Sequence, residues 1–210
     1  MLIIGLSGKM GSGKDFIASN YIIPFLREQL KLFPLKMAFS DQLKVNVMTK
    51  YNISFNDVYQ HKTDQTRQLL QQEGTENGRN KHGQDVWIKH LDAWTHVYRS
   101  RGIDAVILSD VRFRNEVEYI KSKGGLVIRV DAPERNEKRL RDDSGGCIET
   151  YNRIKNHSSE CDLDTVGDNV YDFIVNNRNE QETKNDVNKI LVFLNIYFKT
   201  NGSKNNTFNL

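Results

Sequence analysis

Short apolar runs alternate with longer amphipathic stretches along most of the chain. Leu2 to Leu6, Leu35 to Phe39, Asp104 to Ser109, Leu126 to Val130 and Tyr171 to Val175 are dense in apolar residues and too brief for helices, so each reads as a buried strand. After the first of them, Phe16, Ile17, Tyr21, Ile22, Phe25 and Leu26 recur at helical spacing. Pro24 lacks an N–H and crowds the preceding turn, which predicts one interrupted helix over residues 15 to 31. Ser40 or Asp41 is placed to cap a helix running to about Tyr51. Asn115 to Lys123 predicts a further amphipathic helix stopped by Gly124-Gly125, and Val187, Ile190, Leu191, Leu194, Tyr197 and Phe198 mark a closing one. Strand and helix follow one another in βαβ order, and right-handed crossovers then predict a mostly parallel α/β sheet covered by helices.

Two stretches break this rhythm. Residues 52 to 100 hold no strand pattern: Val58, Leu69, Leu70, Trp87, Ile88, Leu91, Trp94, Val97 and Tyr98 suit helices separated by the Gly-rich segment 74 to 83, a helical insertion. Trp87 and Trp94, seven apart, are expected to pack helices and not to stack bases. Ala132 to Leu163 is polar, mixes Arg135, Lys138, Arg139, Arg141 and Arg153 with acids around Gly145-Gly146, and has the character of a mobile lid. The expected organisation is one domain over 1 to 199, with an Asn-rich, disordered tail from Thr200 to Leu210. No internal repeat is present.

Chemistry enters at Gly5-Leu-Ser-Gly-Lys-Met-Gly-Ser-Gly-Lys14-Asp15, directly after the first strand. Gly8-x-x-x-x-Gly13-Lys14 matches the Walker A pattern, in which loop amides and a helix N-terminus favour an anion and the Lys reaches the β- and γ-phosphates. Strand, loop, Lys and helix occur in the order that pattern requires, so a P-loop NTPase-type fold is expected, with ATP held by Gly8, Lys9, Gly11, Ser12, Gly13, Lys14 and Asp15. Where Ser or Thr normally serves Mg²⁺ the chain has Asp15, a hard oxygen ligand suited to the same metal.

Composition narrows the setting. Of 210 residues 38% are hydrophobic and 27% charged, and no apolar run approaches the roughly 18 residues needed to cross a membrane. The P-loop pattern begins too early for a signal peptide, so a cytoplasmic location is expected. Cys147 and Cys161 are far from C-x-x-C spacing and suggest neither a disulfide framework nor a zinc site. A net charge of +3, spread along the chain, does not argue for nucleic-acid binding.

Further candidates follow the P-loop. Ser109-Asp110-Val111-Arg112 follows directly on a buried strand, at the sheet edge where α/β proteins bind ligands. Asp110 is placed like a Walker B carboxylate for Mg²⁺, and Arg112 is set to meet phosphate. In the insertion, Arg67 and Arg79 flank Gln71, Thr75 and Glu76 around a Gly turn, a combination suited to an anionic acceptor carrying a hydrogen-bonding base or sugar. Arg135 and Arg139 are lid candidates. His157, Ser159 and Glu160 lack a Gly-x-Ser-x-Gly elbow and read as a hinge or substrate-side contact, not a hydrolase triad.

The Lys14-Asp15 ending of the loop, the Arg67 to Arg79 segment with Leu70-Gln71-x-x-Gly74-Thr75, Asp110-x-Arg112 with Glu116, and His157-x-Ser159-Glu160 before Val175-Asn176-Asn177 resemble the phage and viral deoxynucleoside monophosphate kinase family. The resemblance runs in order from Leu2 to about Asn177. Animal phosphomevalonate kinases share the Lys-Asp ending and resemble Ser159-Glu160-Cys161-x-Leu163-Asp164, so the acceptor stays open between the two; a P-loop nucleotide switch without transfer is a third alternative. The resemblance implies transfer of the ATP γ-phosphoryl group to a deoxynucleoside monophosphate, Mg²⁺ at Asp15 and Asp110, and Lys14 and Arg112 beside the moving phosphoryl. It also implies Arg67 and Arg79 on the acceptor phosphate, a homodimer, and the host cytoplasm if the source is viral.

Overall fold

A computed structural model describes residues 1–202. Five parallel strands form one sheet: β1 (Leu2–Ser7), β2 (Pro34–Met37), β3 (Ala105–Val111), β4 (Leu126–Asp131) and β5 (Phe173–Asn176), in the order β2-β3-β1-β4-β5. β1 is central, with Ile4 beside Ile107 of β3 and Leu126 of β4. Strand periodicity divides its side chains between two cores. Ile4 and Leu6 join Ile128 and Val130 against Ile17, Ile22, Leu26, Ile190 and Leu194, while Ile3 joins Val106, Leu108 and Val127 against Phe39, Leu91, Val117 and Ile120. Helices therefore cover both faces, which leaves the C-terminal strand ends free to form a site.

The helix after β1 runs over 14–28 and is interrupted as Pro24 requires. Ala18–Ile22 winds as a π turn, and Pro24 falls at the start of the next α-helical segment, Ile23–Glu28, where a missing N–H is tolerated.

The insertion is helical throughout, but its glycines do not divide it. Asp64–Gln71, the π-helical Gln72–Arg79 and Asn80–His82 follow one another without a break, and only Gly83 ends the run. Gly74 and Gly78 are there for close packing: a Cβ on Gly78 would lie 2.5 Å from the Trp87 ring, and one on Gly74 would lie 2.9 Å from Leu43. The Trp87 indole donates to the Gly74 carbonyl at 2.9 Å. Trp87 thus belongs to a third small core with Leu43, Val47 and Val58, while Trp94 is 41% exposed and donates to Gln42.

The polar lid segment forms the helices Pro133–Ser144, Ile148–Lys155 and Ser158–Cys161. One more expectation changes. The closing helix, Glu180–Gly202, continues past Thr200, and the remainder of the expected tail lies outside the described residues.

Candidate active-site cleft

β1 delivers the glycine loop to the sheet edge. Gly8 has φ 141° and Gly13 φ 93°, both in the region that side chains avoid. A Cβ on Gly8 would lie 2.3 Å from the Val130 carbonyl, and one on Gly13 would lie 2.3 Å from Asn177 Nδ2. The loop's outer side is fastened from a distance. Asn177 Nδ2 donates to the Ser12 carbonyl at 2.8 Å, Asn136 Nδ2 donates to that of Met10 at 2.7 Å, and Arg135 bonds to the carbonyls of Ser12 and Asn177. Arg139 packs on Gly11 and pairs with Asp143.

Lys14 opens the following helix with its side chain buried. Its ammonium donates to the carbonyls of Gly8 at 2.7 Å and Lys9 at 2.8 Å, and to Ser12 Oγ at 3.3 Å. Burial lowers its pKa to about 7, and the charge of Arg112 acts the same way. Asp15 Oδ1 accepts from Lys36 Nζ at 3.0 Å and Ser109 Oγ at 2.9 Å. Burial opposes ionisation of Asp15, but these bonds and the charges of Lys36 and Lys14 outweigh it and hold the carboxyl below its usual range.

Asp110 lies within β3 and not after it. Its two oxygens accept from the amides of Phe39 at 2.8 Å and Ser40 at 3.1 Å and from Ser40 Oγ at 2.7 Å. The Ser40 hydroxyl is therefore committed to Asp110, and the helix Asp41–Tyr51 begins without a side-chain cap at that position. Arg112 pairs with the Glu160 carboxylate, whose other oxygen accepts from the Met10 amide at 3.1 Å. Lys9 reaches the Glu160 carbonyl and Asp164. The return of the lid segment is thus latched to the loop.

The helical insertion supplies the opposite wall. Arg67 pairs with Asp143 at 3.1 Å, and Gln71 accepts from Arg153 at 3.2 Å. Thr75 lines the cleft; Glu76 is exposed and does not. Arg79, expected to face an anionic ligand, is 5% exposed and committed elsewhere: it pairs with Glu116 at 2.6 Å, donates to the Gln84 carbonyl at 2.7 Å, and stacks on Phe113. Glu116 also accepts from the amides of Arg112 and Phe113. Burial, reinforced by Asp110, pushes its pKa up to about 7 against the pull of Arg79. Arg79 and Glu116 therefore brace the backbone that carries Arg112.

Loop and wall enclose one cleft of about 1360 Å³. Gly11, Gly13, Lys14 and Asp15 line one part, Arg67, Gln71 and Thr75 another, and Asp110, Arg112 and Arg139 also reach it. Gly8 and Lys9 line a smaller neighbouring pocket, and neither cavity is lined by Ser12 or Arg135. His157 Nδ1 accepts from the Ser159 amide at 3.2 Å and meets Ser159 Oγ at 2.9 Å, which makes it a helix cap on the cleft rim. Burial lowers its pKa.

Sequence reasoning missed Lys36, Tyr59, Lys62, Asn136 and Asp143. Lys36 had a signal, its place near the end of a strand pattern beside the loop. Asn136 and Asp143 contact the loop and Arg67 only through tertiary folding, which leaves no local spacing to read.

Among described residues no group of three or more His, Cys, Asp or Glu is arranged to hold a metal unaided, and no helix is long and apolar enough to cross a membrane. No family model matches the chain. A protein of Acanthamoeba polyphaga mimivirus, named "Putative deoxynucleotide monophosphate kinase", is 31% identical over 152 residues, which span 63% of this chain and 75% of that protein. TT1252 from Thermus thermophilus shares the fold, with a TM-score of 0.51 and 19% identity over 91% of this chain and 96% of that one. Shikimate kinase from Acinetobacter baumannii, solved with shikimate, aligns over 92% and 93% of the two chains with a TM-score of 0.47 and 16% identity.

Proposed function

The chain belongs to the P-loop kinase family of this mimivirus protein, and from that premise we propose that it transfers the ATP γ-phosphoryl group to a deoxynucleoside monophosphate. The observation that carries the reading is the single cleft in which a glycine loop with a buried Lys faces a second wall rich in cations. One nucleotide would not need both.

The residues present fit the donor. Glycines stand where a Cβ would collide, Lys14 is buried beneath the loop, and Asp15 with Ser109 offers the hard oxygens that Mg²⁺ prefers. In this reading Gly8 to Asp15 cradle the ATP phosphates and Lys14 neutralises their charge. Asp15 would hold Mg²⁺ with Asp110, whose oxygens also accept from Phe39 and Ser40, and the metal when bound would screen the charge of the phosphates. Lys36, now on Asp15, marks where positive charge is accepted. Arg67 meets the acceptor phosphate, and Arg112 stands between the two phosphates. Arg135 and Arg139 fix the loop and exclude water over it. The acceptor phosphate is already anionic, so alignment and charge neutralisation suffice and no strong base is needed.

The test is ADP release from ATP and Mg²⁺ against dAMP, dCMP, dGMP, dTMP, the ribonucleotides and phosphomevalonate. Release with one or more deoxynucleotides is expected. Release with phosphomevalonate alone would replace the acceptor, and silence across the panel would favour a binding switch.

A further inference from the structure

The Lys and Arg side chains lining the cleft are matched with one exception. Lys36 pairs with Asp15, Lys44 with Asp41, Arg67 and Arg139 with Asp143, Arg79 with Glu116 and Arg112 with Glu160. Lys14 is held by carbonyls of its own loop. Lys62 lines the same cleft, yet among described residues its ammonium has no hydrogen bond and no carboxylate.

Its backbone is well placed to hold a position. The helical turn Asn56–Gln60 precedes it, and Thr63 follows, accepting from the Thr66 amide to start Asp64–Gln71. The surroundings add positive charge. Lys44, Arg67 and Arg112 all act on Lys62, and together with burial they lower its pKa to about 8. Asp110 is the acid that acts on it, and the hydrogen bonds its two oxygens accept come from Phe39 and Ser40, not from Lys62. An unmatched, partly buried cation that lines one cleft with Lys44, Arg67 and Arg112 is unfavourable until an anion enters. Lys14, Lys62, Asp110 and Arg112 line one cleft, and the charges of Arg112 and Asp110 act on both amines.

We propose that Lys62 binds the phosphate of the acceptor, forming with Arg67 and Lys44 a second anion seat that shares Arg112 with the donor loop. This rests on the kinase reading above. It adds to the paired cations Arg67, Lys44 and Arg79 of the same cleft one that has no carboxylate of its own.

Initial rates of the full chain, with Lys62→Met and Lys62→Arg, test the proposal. Lys62→Met is expected to raise the acceptor KM about 10- to 100-fold, the worth of a charged hydrogen bond, with the ATP KM and kcat within about twofold. Lys62→Arg is expected to restore most of the loss. An unchanged acceptor KM, or equal rises in both KM values, overturns it. If the wild type turns over none of the panel, the kinase reading fails separately, and acetylation of Lys62 followed by peptide mass spectrometry still reads the site. Protection by orthophosphate or a deoxynucleoside monophosphate, but not by a deoxynucleoside, supports the seat; equal labelling in every case overturns it.

Discussion

The two walls of the cleft neutralise their cations in different ways. On the loop side, Lys14 is held by backbone carbonyls that lie within six residues of it. On the insertion side, Arg67 and Arg79 are held by carboxylates 37 or more residues away, Asp143 and Glu116, and Arg112 after β3 is held likewise by Glu160. A carbonyl is a partial charge, and it leaves the ammonium able to attract a phosphate. A carboxylate is a full charge, which must be shared or displaced before its Arg can do the same. Lys14 is therefore set to bind as it stands, although Lys9 and Lys36 beside it pair with Asp164 and Asp15, whereas the opposite wall trades internal anions for an external one, with Lys62 as its unmatched member.

This contrast predicts which variants lose chemistry and which lose structure. Lys14→Ala has the largest expected effect, a fall in kcat of roughly 10³-fold through lost charge stabilisation, with an unfolding midpoint close to wild type. Turnover retained in that variant would place the transfer elsewhere. Arg79→Ala is expected to do the reverse and cost about 3 kcal/mol of stability in denaturant titration, because it leaves the buried Glu116 carboxyl without its partner. A midpoint that stays put while the acceptor KM rises would return Arg79 to the binding wall.

The smallest effect is a proton. Lys62, with a pKa of about 8 among Lys44, Arg67, Arg112 and Asp110, is half charged at that pH, and an arriving phosphate favours the charged form. Acceptor binding at pH 8 is therefore expected to take up about half a proton, and affinity to fall as the pH rises further. Calorimetry in buffers of different ionisation enthalpy reads this directly, and Lys62→Arg is expected to show no uptake. Uptake that survives in the arginine variant would assign the proton to another group.

The same division explains what could be read from the chain. The strands, the parallel sheet and the donor loop follow from local patterns: apolar runs, and glycines at fixed offsets before Lys14. The helix interruption at Pro24 was legible for the same reason. The Gly74 to Gly83 segment misled, because helical glycines required by Leu43 and the Trp87 ring, at Gly74 and Gly78, look in sequence like a turn. The pairing of Arg79 with Glu116, 37 residues away, could not be read, because no local spacing announces it. The lid helix bearing Arg135, Asn136 and Arg139 was read as polar and mobile, since the loop carbonyls that employ Arg135 and Asn136 lie far off in the chain.

The bond from Asn177 to the Ser12 carbonyl joins residues 165 apart. It makes an early segment of this chain dependent on one made 165 residues later. While the chain is still leaving the ribosome, β1 and the glycine loop are exposed, but the side chain that fastens the loop has yet to be made. The donor pocket can be finished only once β5 has docked, so a partly translated chain does not present it complete.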